Sequence, residues 1–291
     1  MSLLAHPSAT LPKTEAFPVP WRRPTAPLVR DQEPAPLRYR GLELIGEGGM
    51  GKVYRAWDPV LRRTVALKRL FGAGCDCREE ARLQSRVGSP WAPTVFEVAT
   101  DSQPPFFAME LIDGPTLRQA RPRLELATKV SLGRELCRAV DACHRSGVLH
   151  CDLNPSNVVI RPCGTPCLID FGVAIDRAAR RPHHVAGTAP FMAPEQARGD
   201  FLAIDERTDV YGLGATLYQL FSGRQPFRGE TAEAIRDRAV HQPPPPLASF
   251  APELPKSLCQ IVERCLAKAP EERFQSAAQI AGALDDASIA A

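Results

Sequence analysis

Near Gly114 the chain changes period, and that change limits the folds open to it more than any other feature. From Tyr39 the segments RGLELIGEG, KVYRAWD, TVALKRL, TVFEVAT and FFAMELI are rich in β-branched and aromatic residues and are cut by Gly, Asp and Pro, which predicts an antiparallel sheet. After Gly114 the apolar spacing becomes helical. LATKVSLGRELCRAVDACHRSG (126–147) sets Val130, Leu132, Leu136, Val140 and Cys143 mostly on one face and stops at Gly147. TDVYGLGATLYQLFSG (208–223), LPKSLCQIVERCLAK (254–268) and SAAQIAGALDDA (276–287) read as further helices, and VVIRPCGTPCLI as a hairpin. Strands first and helices after imply an α+β molecule of two lobes, with a ligand site in the cleft between them.

A second break lies near residue 37. Residues 1–37 hold eight prolines and no apolar period, so a disordered or extended tail is expected there. Its RRPTAP stretch (22–27) has a form that polyproline-binding domains read, although proline-rich tails match it by chance. With 291 residues, 44% of them hydrophobic and 24% charged, the chain can bury a full core as a soluble protein. A net charge of +3 is too small to imply nucleic-acid binding, and no apolar run approaches the roughly 18 residues of a membrane helix. The N-terminus lacks the basic segment and apolar core of an export signal, and nine cysteines are an odd number, so reduced thiols in the cytoplasm are expected. Cys75, Cys77, Cys163 and Cys167 come nearest to a metal pattern, but neither pair has the two-residue gap of a zinc site.

The chemistry is concentrated in two clusters. GEGGMGKV (46–53) is rich in glycine and stands between two strands, so it reads as a hairpin whose backbone amides can approach phosphate oxygens. Fifteen residues past Val53, Lys68 in VALK supplies a cation on the next strand. REEARL offers Glu80, or Glu79, to hold that lysine. The second cluster is His150, Asp152 and Asn157 in HCDLNPSN, followed across the hairpin by Asp170 of DFG. Two carboxylates and an amide so assembled can orient a hydroxyl nucleophile and bind Mg²⁺ through hard oxygen donors.

This ordered set, continued by GTAPFMAPEQARG, TDVYGLG and PEERFQSA, resembles the eukaryotic-like serine/threonine protein kinases, most of all the bacterial branch, over residues 38–285. The resemblance implies the two-lobed protein-kinase fold, with a small antiparallel β lobe carrying one regulatory helix and a larger, mainly helical lobe. It would divide the chain into a tail at 1–37, a kinase domain at 38–287 and a C-terminal end at 288–291. Within the domain, the small lobe would span 38–109, the hinge 110–114 and the large lobe 115–287. ATP and Mg²⁺ are implied as cofactors. Gly46, Gly48 and Gly51 would cover the phosphates, with Glu47 and Gly49 in the same loop. Lys68 would contact the phosphates and pair with Glu80; Val53 and Ala66 would roof the adenine; Met109 would gate the back pocket; Glu110 and Leu111 would offer hinge backbone bonds. Asp152 would orient the substrate hydroxyl, Asn157 and Asp170 would bind Mg²⁺, and Thr188 would stand beside Asp152. Glu195 would pair with Arg273 as a structural bridge, and Asp209 would brace the catalytic loop.

Two positions depart from the family. Asn154 stands where a lysine usually stabilises the transferring phosphoryl group, and a neutral amide there implies slower chemistry. Cys151 replaces the arginine that helps bind a phosphate on the activation loop, and the stretch from Phe171 to Gly187 contains no Ser, Thr or Tyr to carry one. Activity independent of activation-loop phosphorylation is therefore expected. A redox role for Cys151 is disfavoured by the adjacent Asp152 carboxylate. Arg177, Arg180, Arg181, His183 and His184 face a single acid, Asp176, and form either a solvated run or a platform for acidic protein substrates. The competing function is a nucleotide-binding pseudokinase acting on a partner; a small-molecule kinase fits GTAPFMAPE less well.

Overall fold

The computed structural model describes residues 38–49, 51–70, 77–178 and 186–289. The tail, Cys75, and Arg180, Arg181, His183 and His184 lie outside them.

In chain order the elements are β1 (Arg40–Gly48), β2 (Gly51–Asp58), β3 (Arg63–Leu70), α1 (Cys77–Val87), β4 (Val95–Ala99) and β5 (Phe106–Glu110). Then follow α2 (Leu117–Ala120), α3 (Leu126–Arg145), β6 (Val148–Leu149), β7 (Val158–Ile160), β8 (Pro166–Leu168) and β9 (Ile175–Asp176). The chain ends in α4 (Pro194–Arg198), α5 (Glu206–Ser222), α6 (Ala232–His241), α7 (Lys256–Cys265) and α8 (Ala277–Ile289). The first five strands form one sheet in the order β1-β2-β3-β5-β4, every neighbouring pair antiparallel. The sheet followed by helices is the expected two-lobed α+β arrangement.

Strand alternation decides which side chains reach the cleft. Val65 and Leu67 of β3 and Phe106 and Ala108 of β5 pack with Tyr39 and Tyr54 on one face. Ala66 and Leu70 of β3 and Phe107 and Met109 of β5 pack on the other with Cys77 and Ala81 of α1. Lys68 has the parity of this second face, which carries it towards α1.

The helical lobe holds the larger core, built mainly on α3, α5, α7 and α8, with Leu136, Val140, Leu213, Leu217, Val262, Ile280 and Leu284 buried. Each such side chain contributes about 1.5–3 kcal/mol. Close packing needs small residues at two crossings. A Cβ on Gly133 would meet Leu217 at 2.8 Å, and one on Gly214 would meet the Cys265 Cβ at 2.4 Å. Helix α3 ends as expected, with Gly147 at φ +71°. The hairpin is β7 paired with β8.

Helix α6 had no signal in the sequence. It fully buries Ala239 alone, with Ile235 half-buried one turn before, and starts at a Thr231 cap that accepts from the Ala234 amide, so its apolar stripe is too thin to read. Among the described residues, no helix is long and apolar enough to cross a membrane.

Candidate active site

Lys68 is buried, and its Nζ donates to Glu80 Oε1 at 2.5 Å and to Asp170 Oδ1 at 2.6 Å. Burial would lower the lysine pKa, but the Glu80 and Asp170 charges prevail and raise it, so the ammonium persists. Glu79 faces outward and bonds Arg82 instead, which resolves the choice left by REEARL in favour of Glu80.

Asp209, fully buried in α5, organises the loop that begins at His150. Its carboxylate accepts the His150 and Cys151 amides, both at 2.8 Å, and the His144 Nε2 at 2.9 Å. Burial pushes its pKa up, yet these donors together hold it below the ordinary aspartate range. Cys151 is held at φ +62° between this bond and a Gln196 side chain that donates to its carbonyl. Asp170 is also left-handed, at φ +66°. Left-handed non-glycine residues cost of order 1–3 kcal/mol and persist only where surrounding contacts over-determine them.

The Asp152 amide donates to His150 Nδ1 at 3.3 Å, which makes that nitrogen the acceptor and leaves Nε2–H to face the Ile169 carbonyl. The Asp152 carboxylate accepts the Thr188 amide at Oδ1 and the Asn157 side chain at Oδ2, each at 2.8 Å. Burial raises its pKa, with the Thr188 bonds opposing. Asn157 turns its amide nitrogen to Asp152, which leaves its oxygen as the end that could meet a metal ion. Burial would raise Asp170 as well, but Lys68 holds it below the usual range. One carboxylate and one amide oxygen suit Mg²⁺, which needs few protein ligands when phosphates supply the rest.

The glycines of the hairpin divide by role. A Cβ on Gly48 or Gly49 would meet nothing within 4 Å, and one on Gly46 only Val53, so a ligand has room to approach the backbone. Gly51 is structural, because a Cβ there would lie 2.1 Å from the Arg69 carbonyl oxygen. Val53 and Leu111 pack with Ala66 and Met109, giving an apolar patch behind the loop. The Glu110 amide donates to Thr94 and its carboxylate is clamped by Arg161, so any hinge bond from Glu110 falls to its carbonyl. Val159 was not singled out from sequence. Val158 and Ile160 enter the helical core, so Val159 points to the opposite side of β7, near Gly114. The alternation of VVI was its only signal.

Glu195 and Arg273 form a fork-to-fork pair at 2.8 and 2.9 Å, both buried, and Thr208 donates a further bond to Glu195. A protein kinase domain model matches residues 39–283. The chain belongs to the protein kinase domain family. Among curated relatives, it is 34% identical over 259 residues to the DNA damage-responsive serine/threonine-protein kinase RqkA of Deinococcus radiodurans, covering 84% of this chain and 38% of that protein. It is 31% identical over 262 residues to serine/threonine-protein kinase PknB of Mycobacterium tuberculosis, covering 84% of this chain and 42% of PknB. A probable serine/threonine-protein kinase of Clostridium perfringens is 30% identical over 261 residues, covering 85% of this chain and 38% of that protein. This chain thus spans well under half the length of these relatives.

Asn154 and Cys151, which the sequence reading set apart, both turn inward. Asn154 Nδ2 donates to the Asp152 carbonyl at 3.2 Å and to Thr188 Oγ1 at 3.3 Å, while Oδ1 accepts the Ser156 amide at 2.9 Å. Burial, with Asp209 and other acids near, raises the Cys151 pKa well above the ordinary thiol value, which disfavours the thiolate that redox chemistry needs. Of the basic run, Arg177 is described; it is exposed and pairs with Glu206 at 2.5 Å, as a solvated face allows. Cys77 and Cys167 are buried in different lobes, and among the described residues no group of three or more His, Cys, Asp or Glu is placed to hold a metal.

Proposed function

We propose that this protein is a serine/threonine kinase that transfers the ATP γ-phosphoryl group to hydroxyls of protein substrates. The observation that carries the reading is Lys68 joined to both Glu80 and Asp170, together with an Asp152 carboxylate held by Asn157 and Thr188. Of the three ammonium donors, two are engaged, and the third is available to a phosphate oxygen. The Asp152 carboxylate orients the incoming hydroxyl and accepts its proton as the oxygen attacks phosphorus and the bond to the β-phosphate breaks. Asn157 and Asp170 would hold Mg²⁺, whose chemistry is to neutralise charge on the phosphate oxygens.

The reaction is slow, because the donors of Asn154 are directed into the loop rather than outward; loss of one transition-state donor costs about 10²-fold. Activity is independent of activation-loop phosphorylation, for want of both the hydroxyls and an arginine at 151. An acidic-substrate preference would rest on Arg180, Arg181, His183 and His184, which lie outside the described residues. A cytoplasmic location fits an odd number of cysteines, which argues against a disulfide framework.

The engaged amide of Asn154 favours a second reading, a pseudokinase that binds nucleotide and acts through a partner. Incubation of the purified chain with MgATP and a generic protein substrate, beside Lys68→Met and a phosphatase-treated sample, separates the two. Incorporation lost in Lys68→Met and retained after dephosphorylation supports the kinase. Equal incorporation with and without Lys68 overturns it, and nucleotide binding without turnover supports the pseudokinase.

A further inference from the structure

Two turns of α1 carry arginines away from the buried Glu80 face, and both reach the same carboxylate. Arg82 Nη2 lies 2.7 Å, and Arg86 Nη1 2.8 Å, from Asp176 Oδ2. The other Asp176 oxygen accepts the Ala178 amide. Asp176 belongs to β9, which pairs with β6 immediately before the catalytic loop, Val148 opposite Asp176. Arg86 also donates to the Ser146 carbonyl at 2.6 Å, and it lies so close over Gly147 that a Cβ there would come within 2.5 Å of the guanidinium. One acid therefore joins α1, the end of α3 and the root of the catalytic loop. Isolated surface pairs contribute little, but here two guanidinium groups share a carboxylate whose side chain is 11% exposed, and networks of that kind are the exception. The Arg82 and Ala178 bonds hold Asp176 below the usual carboxylate range.

We propose that Asp176 is a positioning residue, whose grip on Arg82 and Arg86 fixes α1 and so holds Glu80 on Lys68. Kinases switched by phosphorylation use an added phosphate and arginines to order this region. In this chain, which has no hydroxyl between Phe171 and Gly187, a genetically encoded anion takes that part. The inference rests on the kinase reading only for its effect on rate; the tie to α1 stands apart from it.

The test uses the full chain with Asp176→Ala, Asp176→Glu, and Arg82→Ala combined with Arg86→Ala. Amide hydrogen exchange of residues 77–87 is measured without nucleotide, and kcat and KM with MgATP and a protein substrate. Asp176→Ala is expected to speed exchange in α1 and lower kcat about 10-fold, with a smaller change in KM, the size of coupling seen within one ion-pair network. Asp176→Glu should recover most of both. Adding the arginine substitutions to Asp176→Ala should cost clearly less than the sum of the separate losses, since Arg86–Ser146 and Arg82–Glu79 are the bonds then left to lose. Wild-type exchange in α1 of folded Asp176→Ala, or fully additive losses, would overturn the proposal. Should Asp176→Ala fail to fold, the doubly substituted arginine variant decides, and wild-type behaviour there overturns it equally. A wild-type chain without turnover would count against the kinase reading, while the exchange comparison would still judge the tie.

Discussion

Asn154 is 4% exposed, and each polar atom of its side chain is bonded within the catalytic loop or to Thr188. Asn154→Lys removes the acceptor for the Ser156 amide but returns a cation beside Asp152. We expect kcat to rise about 10-fold, part of the loss assigned to one missing donor, with less change in KM for ATP. Steady-state kinetics on a variant with unaltered melting checks this, and an unchanged kcat counts against the account of slow chemistry. Asp152 yields a pH prediction. Burial raises its pKa above the usual 3.8, and only the ionised form accepts the hydroxyl proton. Activity should therefore fall as pH drops through a value above 3.8, and Asp152→Asn should abolish that acid limb along with most of the rate. An acid limb below the ordinary aspartate value would contradict the burial argument.

Among elements, strand parity places Lys68 on the face that α1 covers, and α1 responds by presenting Glu80. The helix crossings depend on absent side chains more than on present ones. At Gly214 the Cys265 Cβ, an atom with no freedom to swing aside, lies where a methyl group would go. Gly214→Ala gains helix propensity but forces α5 and α7 apart, and a net destabilisation of about 1–3 kcal/mol is expected from chemical denaturation. A stabilised variant would show that the crossing relaxes freely. Thr116 illustrates a local solution: its hydroxyl caps α2 while Gln119 reaches back to its amide, which starts a four-residue helix whose Leu117 and Ala120 then enter the core.

For the molecule as a whole, Glu195 and Arg273 bridge parts of the helical lobe 78 residues apart in the chain. Arg273 is fully buried, and it also donates to the carbonyls of Ala267, Arg207 and Lys268. Removing one partner strands the other charge in the core. Arg273→Met should cost about 3–5 kcal/mol in a denaturant titration, and replacing both partners by apolar residues should cost less than the sum of the single changes. Equal stability of Arg273→Met and wild type would refute the structural role.

The amino-acid sequence alone determined the order of strands and long helices, because their apolar periods of 2 and 3.6 are written locally. It also brought Lys68, Asp152, Asn157 and Asp170 into view, since their motifs keep recognisable spacing. Helix α6 and the direction of Val159, away from the helical core, were hard to read, for one has almost no apolar stripe and the other sits in a uniformly apolar run. Tertiary structure alone decided between Glu79 and Glu80, turned the Asn154 amide into the loop, paired Arg177 with Glu206, and set Asp176 between Arg82 and Arg86. The reason is physical: a hydrogen bond or ion pair between distant residues depends on where two backbones meet, and neither residue's neighbours in the chain record that position.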